Sequence, residues 1–154
     1  MPKVVSTIEV PGKAETIFDF LADYRNITRL QSQFESARVV SDNERGLGAI
    51  VELQGRYHGV PMRVQNRIVT FASPSRLVSI SEGAILSRNT WELRPLSGNG
   101  DEPATEVTFS VEYKINGPFG GIFTGIASSL FHGEIEAMTH ESLKRLRASF
   151  SERE

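Results

Sequence analysis

The sequence predicts an α+β fold: a curved antiparallel sheet of about seven strands wrapped around a long C-terminal helix, with one or two short helices after the first strand. Three observations predict it. Apolar residues recur at every second position through much of residues 36–115, the mark of half-buried strands. Helical spacing occurs only on either side of that region. Short breaks rich in Gly, Pro, Ser and Asn join the alternating runs, and short connections make neighbouring strands antiparallel. At 154 residues, one domain over 1–154 is expected, because two halves would be too small to bury good cores.

Residues 4–10 are short and β-branched, and Pro11 and Gly12 end them as a strand. Ala14, Ile17, Phe18 and Leu21 then fall at i, i+3, i+4 and i+7, which places one amphipathic helix there. Ile27 and Leu30 suggest a second, shorter helix within 26–33. From Ser36 the period becomes two. Ala49, Val51, Leu53, Gly55 and Tyr57 take the inward phase, and Gly59, Val60 and Pro61 form the next turn. In residues 62–71 the apolar phase slips between Val64 and Val69, which predicts a bulge near Asn66 and Arg67. Ser73, Pro74 and Ser75 break the chain before a strand marked by Val78 and Ile80, and residues 86–93 form another. Residues 97–103 read as a loop, and Val107, Phe109, Val111, Tyr113 and Ile115 give the cleanest alternation in the chain.

Phe123, Ala127, Leu130, Phe131, Ile135, Met138, Leu146 and Phe150 follow one side of a C-terminal helix. A straight helix over 118–150 would be ~50 Å long, against a domain diameter of roughly 40 Å. The glycines between 117 and 125 therefore mark a loop, and the helix is expected from about Thr124, with a bend at Gly133. Only this helix is large enough to cover the apolar face of the sheet. A sheet that curls around a single helix leaves space between them.

Composition narrows the function. Hydrophobic residues are 39% and charged residues 23%, lean for a packed globule but too balanced for disorder. Seventeen Lys and Arg against nineteen Asp and Glu give a net charge of −2, with no basic stripe for nucleic acid. Cysteine is absent, so disulfides, thiolate nucleophiles and cysteine metal sites are excluded. The N-terminus lacks a signal-peptide core, and no stretch approaches the ~20 apolar residues of a membrane span. A cytoplasmic protein is expected.

The segment Ile8-Glu9-Val10-Pro11-Gly12-Lys13-Ala14-Glu15-Thr16-Ile17-Phe18-Asp19-Phe20-Leu21-Ala22-Asp23-Tyr24 resembles the opening strand, Pro-x-x-Glu turn and first helix of the SRPBCC (START-like) superfamily. Gly46-Leu47-Gly48 resembles its glycine turn before the third strand. Trp91-Glu92-Leu93 and Thr105-Glu106-Val107-Thr108-Phe109 resemble its last hairpin. The resemblance covers essentially the whole chain and implies the helix-grip fold. Its polyketide cyclase/dehydrase and coenzyme-Q-binding START-like members look nearest. Superfamily members carry lipids, bind hormones, cyclise polyketides or oxygenate aromatics, so the fold does not fix the function.

The inward phases supply candidate pocket-lining residues: Tyr57, Asn89, Trp91, Phe109 and Tyr113 from the strands, with Phe131 and Met138 from the helix. Tyr and Trp combine apolar area with a hydrogen-bonding tip. The alternative is that they are ordinary core aromatics, with a tyrosine at a sheet end pointing to water. Asn89 needs several partners if buried, from ligand, water or backbone. Glu52, Glu92, Glu106 and Glu112 lie on the outward phase beside Arg56, Arg88, Arg94 and Lys114, as a solvated face with cross-strand pairs would. Glu82 shares the phase of Val78 and Ile80 and reaches either the pocket rim or a solvated strand end. No inward pair of carboxylates stands out for acid–base work.

His132, Glu136 and His140 follow i, i+4, i+8, but the two histidines lie ~12 Å apart along a helix, too far for one ion. No metal and no cofactor is expected. Phe119 and Phe123, in the apolar glycine-rich stretch before the helix, are candidates for a lid over the pocket mouth or a transient membrane contact. These residues point to a protein that binds or transports a hydrophobic small molecule or lipid between sheet and helix, in a cavity of several hundred Å³. A polyketide aromatase/cyclase-type enzyme is the first alternative. A non-catalytic interaction module using the lid is the second. Ligand identity and oligomeric state are not legible.

Overall fold

Seven strands form one antiparallel sheet, in which Lys3–Pro11 pairs with Ala104–Ile115 and the other strands follow in reverse chain order to Phe34–Val39 at the far edge. The computed structural model describes residues 2–83, 85–96, 102–115 and 126–151. The elements are β1 (Lys3–Pro11), α1 (Ala14–Ala22), a 3-10 turn (Tyr24–Asn26), α2 (Ile27–Leu30), β2 (Phe34–Val39), β3 (Ile50–Tyr57), β4 (Val60–Ala72), β5 (Arg76–Glu82), β6 (Ile85–Leu96), β7 (Ala104–Ile115) and α3 (Ile126–Ser151). Strands β2 to β7 pair in sequence. The single non-local pairing sets β1 beside β7, with Val4 opposite Val111 and Ile8 opposite Val107. The result is the α+β helix-grip architecture.

Local chemistry sets the boundaries. Ala14, Ile17, Phe18 and Leu21 are buried on α1, as their spacing requires. Asp23 ends it by accepting from the Arg25 backbone N–H at 3.2 Å and from Arg25 Nε at 2.8 Å. The β3–β4 turn is tighter than expected. Tyr57 pairs with Val60, so only His58 and Gly59 turn the chain, and Val60 and Pro61 already belong to β4. His58 and Gly59 have φ of +50° and +81°, the left-handed pair that matches strand twist in a two-residue hairpin.

The β4 bulge lies between Ile68 and Thr70, beyond Asn66 and Arg67. Asn66 keeps its inward pairing with Val51 and Ser81. The extra residue is Val69, which lets Ile68 and Phe71 face the same side. A polar residue in an inward slot made the slip look earlier than it is. On β5 the inward phase is Leu77, Ser79 and Ser81, opposite Trp91, Asn89 and Ser87. Val78, Ile80 and Glu82 therefore face outward, and Glu82 is exposed, away from any interior rim. The outer face carries charge pairs: Arg94 to Glu106 at 3.0 Å, and Glu52 to Arg38 at 3.5 Å and Arg63 at 3.9 Å. Arg56 reaches Glu35 at 3.7 Å.

Helix α3 runs unbroken through Gly133 and packs on β1, β7 and α2. Its C-terminal half buries Leu143, Leu146 and Phe150, the last meeting Phe20 edge to face at 5.6 Å. With Ile17, Phe18, Leu77, Trp91, Leu93, Val107 and Phe109 these residues form a continuous core at one end of the sheet.

Candidate functional site

The inner face of the sheet changes character along its length. Toward the C-terminal half of α3 it is sealed: Leu77, Trp91, Phe109 and Val107 are at most 1% exposed. One step further along each strand the inward residues become small and polar. Asn66, Ser81 and Ser87 lie in one cross-strand row with Tyr113, and Ser79 and Asn89 lie in the next row with Val111. Ser81, Ser87 and Asn89 are partly accessible, as are Met62 and Val64 beside them and Ile135 and Met138 on the helix. The inward side chains of this part of the sheet are thus less completely buried than those of the sealed end. No Asp, Glu, Lys or Arg occupies the inward phase of any strand among the described residues.

The polar residues form one network. Asn89 Nδ2 donates to Ser79 Oγ at 3.3 Å and Ser81 Oγ at 2.9 Å, and Ser87 Oγ donates to Asn89 Oδ1 at 3.2 Å. Ser81 Oγ donates to Asn66 Oδ1 at 3.1 Å. Tyr24, brought in by the 3-10 turn, donates to Ser79 Oγ at 2.6 Å. Burial pushes the Tyr24 phenol above its ordinary range, against the hydrogen bond to Ser79. The partners that Asn89 needs thus come from neighbouring side chains.

Three aromatic groups and three polar ones gather where α3 begins its described side chains. Phe131 meets Tyr113 edge to face at 5.2 Å and Tyr57 at 6.4 Å. The Tyr113 hydroxyl lies 2.6 Å from His132 Nδ1. The Tyr57 hydroxyl donates to Glu134 Oε2, while His58 Nε2 lies 2.8 Å from Glu134 Oε1. Desolvation, then the bond to Glu134, pushes the Tyr57 phenol well up; burial raises Tyr113. The same Tyr57 bond, with help from His58, holds the Glu134 carboxyl below the ordinary glutamate range. This set ties the β3–β4 turn and β7 to α3. Neither tyrosine hydroxyl is left to water alone.

Of the residues the sequence singled out, Trp91 and Phe109 are core residues at the sealed end, and Asn89 is in the polar network. Tyr57, Tyr113 and Phe131 cluster at the other end, and Met138 lies between, partly buried against the core. Phe119 and Phe123 lie outside the described residues. His132 turns to Tyr113, whereas Glu136 and His140 are exposed. Those three border, with Lys3 and Ser6, an open groove of about 560 Å³ along the β1 edge of α3. Among the described residues no cluster of His, Asp and Glu could hold a metal ion, and no helix is long and apolar enough to cross a membrane.

Tyr24, Asn66, Ser79, Ser81, Ser87 and Glu134 were not foreseen. Ser87 shares the period-two phase of Asn89 and Trp91, a signal present in the sequence; Asn66, Ser79 and Ser81 needed the cross-strand register, and Tyr24 and Glu134 the packing of the 3-10 turn and α3 on the sheet.

The family described as polyketide cyclase / dehydrase and lipid transport matches residues 1–149. No curated protein matches the sequence. Solved structures share the fold at low identity. A conserved protein of Geobacillus kaustophilus is 14% identical with a TM-score of 0.73, over 98% of this chain and 96% of that one. The Zhui aromatase/cyclase of a Streptomyces species is 13% identical with a TM-score of 0.71, over 99% and 94%. A Thermus thermophilus protein is 20% identical with a TM-score of 0.68, over 96% and 99%.

Proposed function

Because the chain belongs to the polyketide cyclase/dehydrase and lipid transport family, we propose that it binds a hydrophobic small molecule or lipid between its inner sheet face and the N-terminal half of α3. One observation carries this reading: the uncharged inner face is sealed at Trp91 and Phe109 but partly accessible at Ser81, Ser87, Asn89, Ile135 and Met138. An apolar wall with a few convergent polar groups is what small-molecule sites use. In this reading Trp91 and Phe109 make the floor, Met138 the helix side, and Tyr57, Tyr113 and Phe131 the rim. Native mass spectrometry of the purified protein, with solvent extraction of whatever co-purifies, tests it. A co-purified hydrophobe, or uptake of one from an added mixture, is the expected result; binding no better than to an unrelated protein would end the proposal.

The Tyr113–His132 pair favours a second reading, cyclase-type chemistry in which His132 Nδ1–H donates to the Tyr113 oxygen and leaves the phenol proton to polarise a substrate carbonyl. Under it, Tyr113→Phe abolishes turnover of a poly-ketone chain and spares binding. Equal loss of both, or no turnover by the unmodified protein, returns the site to plain binding.

A further inference from the structure

The polar patch has a defined hydrogen-bonding capacity. Both amide protons of Asn89 are committed to Ser79 and Ser81, the Ser81 proton goes to Asn66, and the Ser87 proton goes to Asn89. The protons of the partly accessible members, Ser81, Ser87 and Asn89, are spent within the patch, and Asn66 and Ser79 are buried beneath them. Lone pairs are not: a hydroxyl oxygen and an amide oxygen each accept two hydrogen bonds, and Ser87 Oγ and Asn89 Oδ1 belong to the partly accessible residues. What this patch offers a guest is acceptor capacity.

Charge decides the rest. No charged side chain of the described strands faces this space, so an ionised guest would be desolvated without a partner, which is costly. A carbonyl or ether brings only lone pairs to acceptors. A neutral hydroxyl brings a proton.

We infer that the Ser87–Asn89 edge of the patch anchors a neutral hydroxyl of the guest, that of an alcohol or phenol. Its apolar body lies against Val64, Val111 and Met138. This rests on the binding reading above and names the ligand class for it. The indifference of the sealed end to polarity, and the neutrality of all five patch residues, make the hydroxyl the selected feature.

Equilibrium dialysis at pH 7 with 2-naphthol, 2-methoxynaphthalene and 2-naphthoate tests it. The three share a ring system and differ in donor and charge. The unmodified protein is expected to bind 2-naphthol about 3- to 10-fold more tightly than 2-methoxynaphthalene, the worth of one hydrogen bond. Binding of 2-naphthoate is expected to be at least ~10-fold weaker than that of 2-naphthol. In the Ser87→Ala/Asn89→Ala variant the naphthol advantage shrinks to within about 2-fold, while 2-methoxynaphthalene still binds. Equal affinity for 2-naphthol and 2-methoxynaphthalene, tightest binding of 2-naphthoate, or an advantage that survives the double substitution would overturn the hydroxyl inference and leave the binding reading standing. Binding of none of the three would overturn both. The ranking by the unmodified protein decides the question even if the double variant fails to fold.

Discussion

Trp91 lies flat on Phe109 across β6 and β7, ring centroids 3.8 Å apart and planes 5° from parallel. Both rings are within 1% of full burial. This stack marks where the inner face stops being protein core. On one side α1 and the C-terminal half of α3 close over it; on the other the polar patch begins, two residues along each strand.

Removing either ring opens a void where the surroundings are already packed. Trp91→Ala or Phe109→Ala is expected to cost about 3–5 kcal/mol in urea unfolding. Ser87→Ala, two rows away and partly accessible, is expected to cost about 1 kcal/mol or less. Comparable losses at both places would mean that the face is equally packed throughout.

Two glycines make opposite predictions. A Cβ at Gly55 would collide with the Gln33 carbonyl, where β2 carries its own irregularity between Phe34 and Ser36. Backbone cannot move aside as a side chain would. Gly55→Ala is expected to lower stability by about 3 kcal/mol. At Gly133, inside α3, a Cβ meets nothing within 4 Å, so Gly133→Ala is expected to raise stability by about 0.5–1 kcal/mol, read as a higher midpoint in thermal melts.

The fold was largely written in residue periodicity, because strands with one buried face must alternate. The alternation from Val107 to Tyr113 and the spacing of Ala14, Ile17, Phe18 and Leu21 placed β7 and α1 closely. The site was less legible. Ser79 and Ser81 look like solvent-facing residues alternating with Val78 and Ile80, and only their pairing with Asn89 and Ser87 shows that they face inward. Val78 is fully buried on the opposite face, which removed the contrast that would have shown which phase points in. Glu134 was invisible for another reason: its partner Tyr57 is 77 positions away.

Stability depends on pH at both ends of the scale, and Glu134 and Tyr24 illustrate the two signs. Glu134 titrates lower in the folded chain than in the unfolded one, because Tyr57 and His58 bond its carboxylate. Its contribution is therefore complete above the ordinary glutamate pKa and lost as pH falls through the depressed value. Because Glu134 is 41% exposed, solvent screens the interaction, and about 0.5 kcal/mol is expected. Glu134→Gln removes that part of the acid limb and leaves the part due to Asp23 and Glu52. Tyr24 is shifted the other way, by burial. Its contribution is complete below the ordinary tyrosine pKa near 10 and is lost as pH rises beyond it. Tyr24→Phe removes its share of the alkaline loss, leaving those of Tyr57 and Tyr113, and costs about 1 kcal/mol at neutral pH for the bond to Ser79. Urea midpoints across pH 3–11 for the three proteins check both signs.

The binding reading stands or falls on where a hydrophobe sits. The chain has three methionines, and two of them, Met62 on the inward phase of β4 and Met138 on α3, flank the accessible part of the inner face. Methyl-labelled methionine makes each a reporter in NMR titrations with 2-naphthol, whose ring current moves nearby methyl signals. Saturable shifts of both the Met138 and Met62 methyl signals are expected, and the Met62 shift should be lost in Met138→Trp, where the indole fills the same space. Binding that leaves both methyl signals unmoved, or no binding at all, would contradict a hydrophobe held between the sheet and α3.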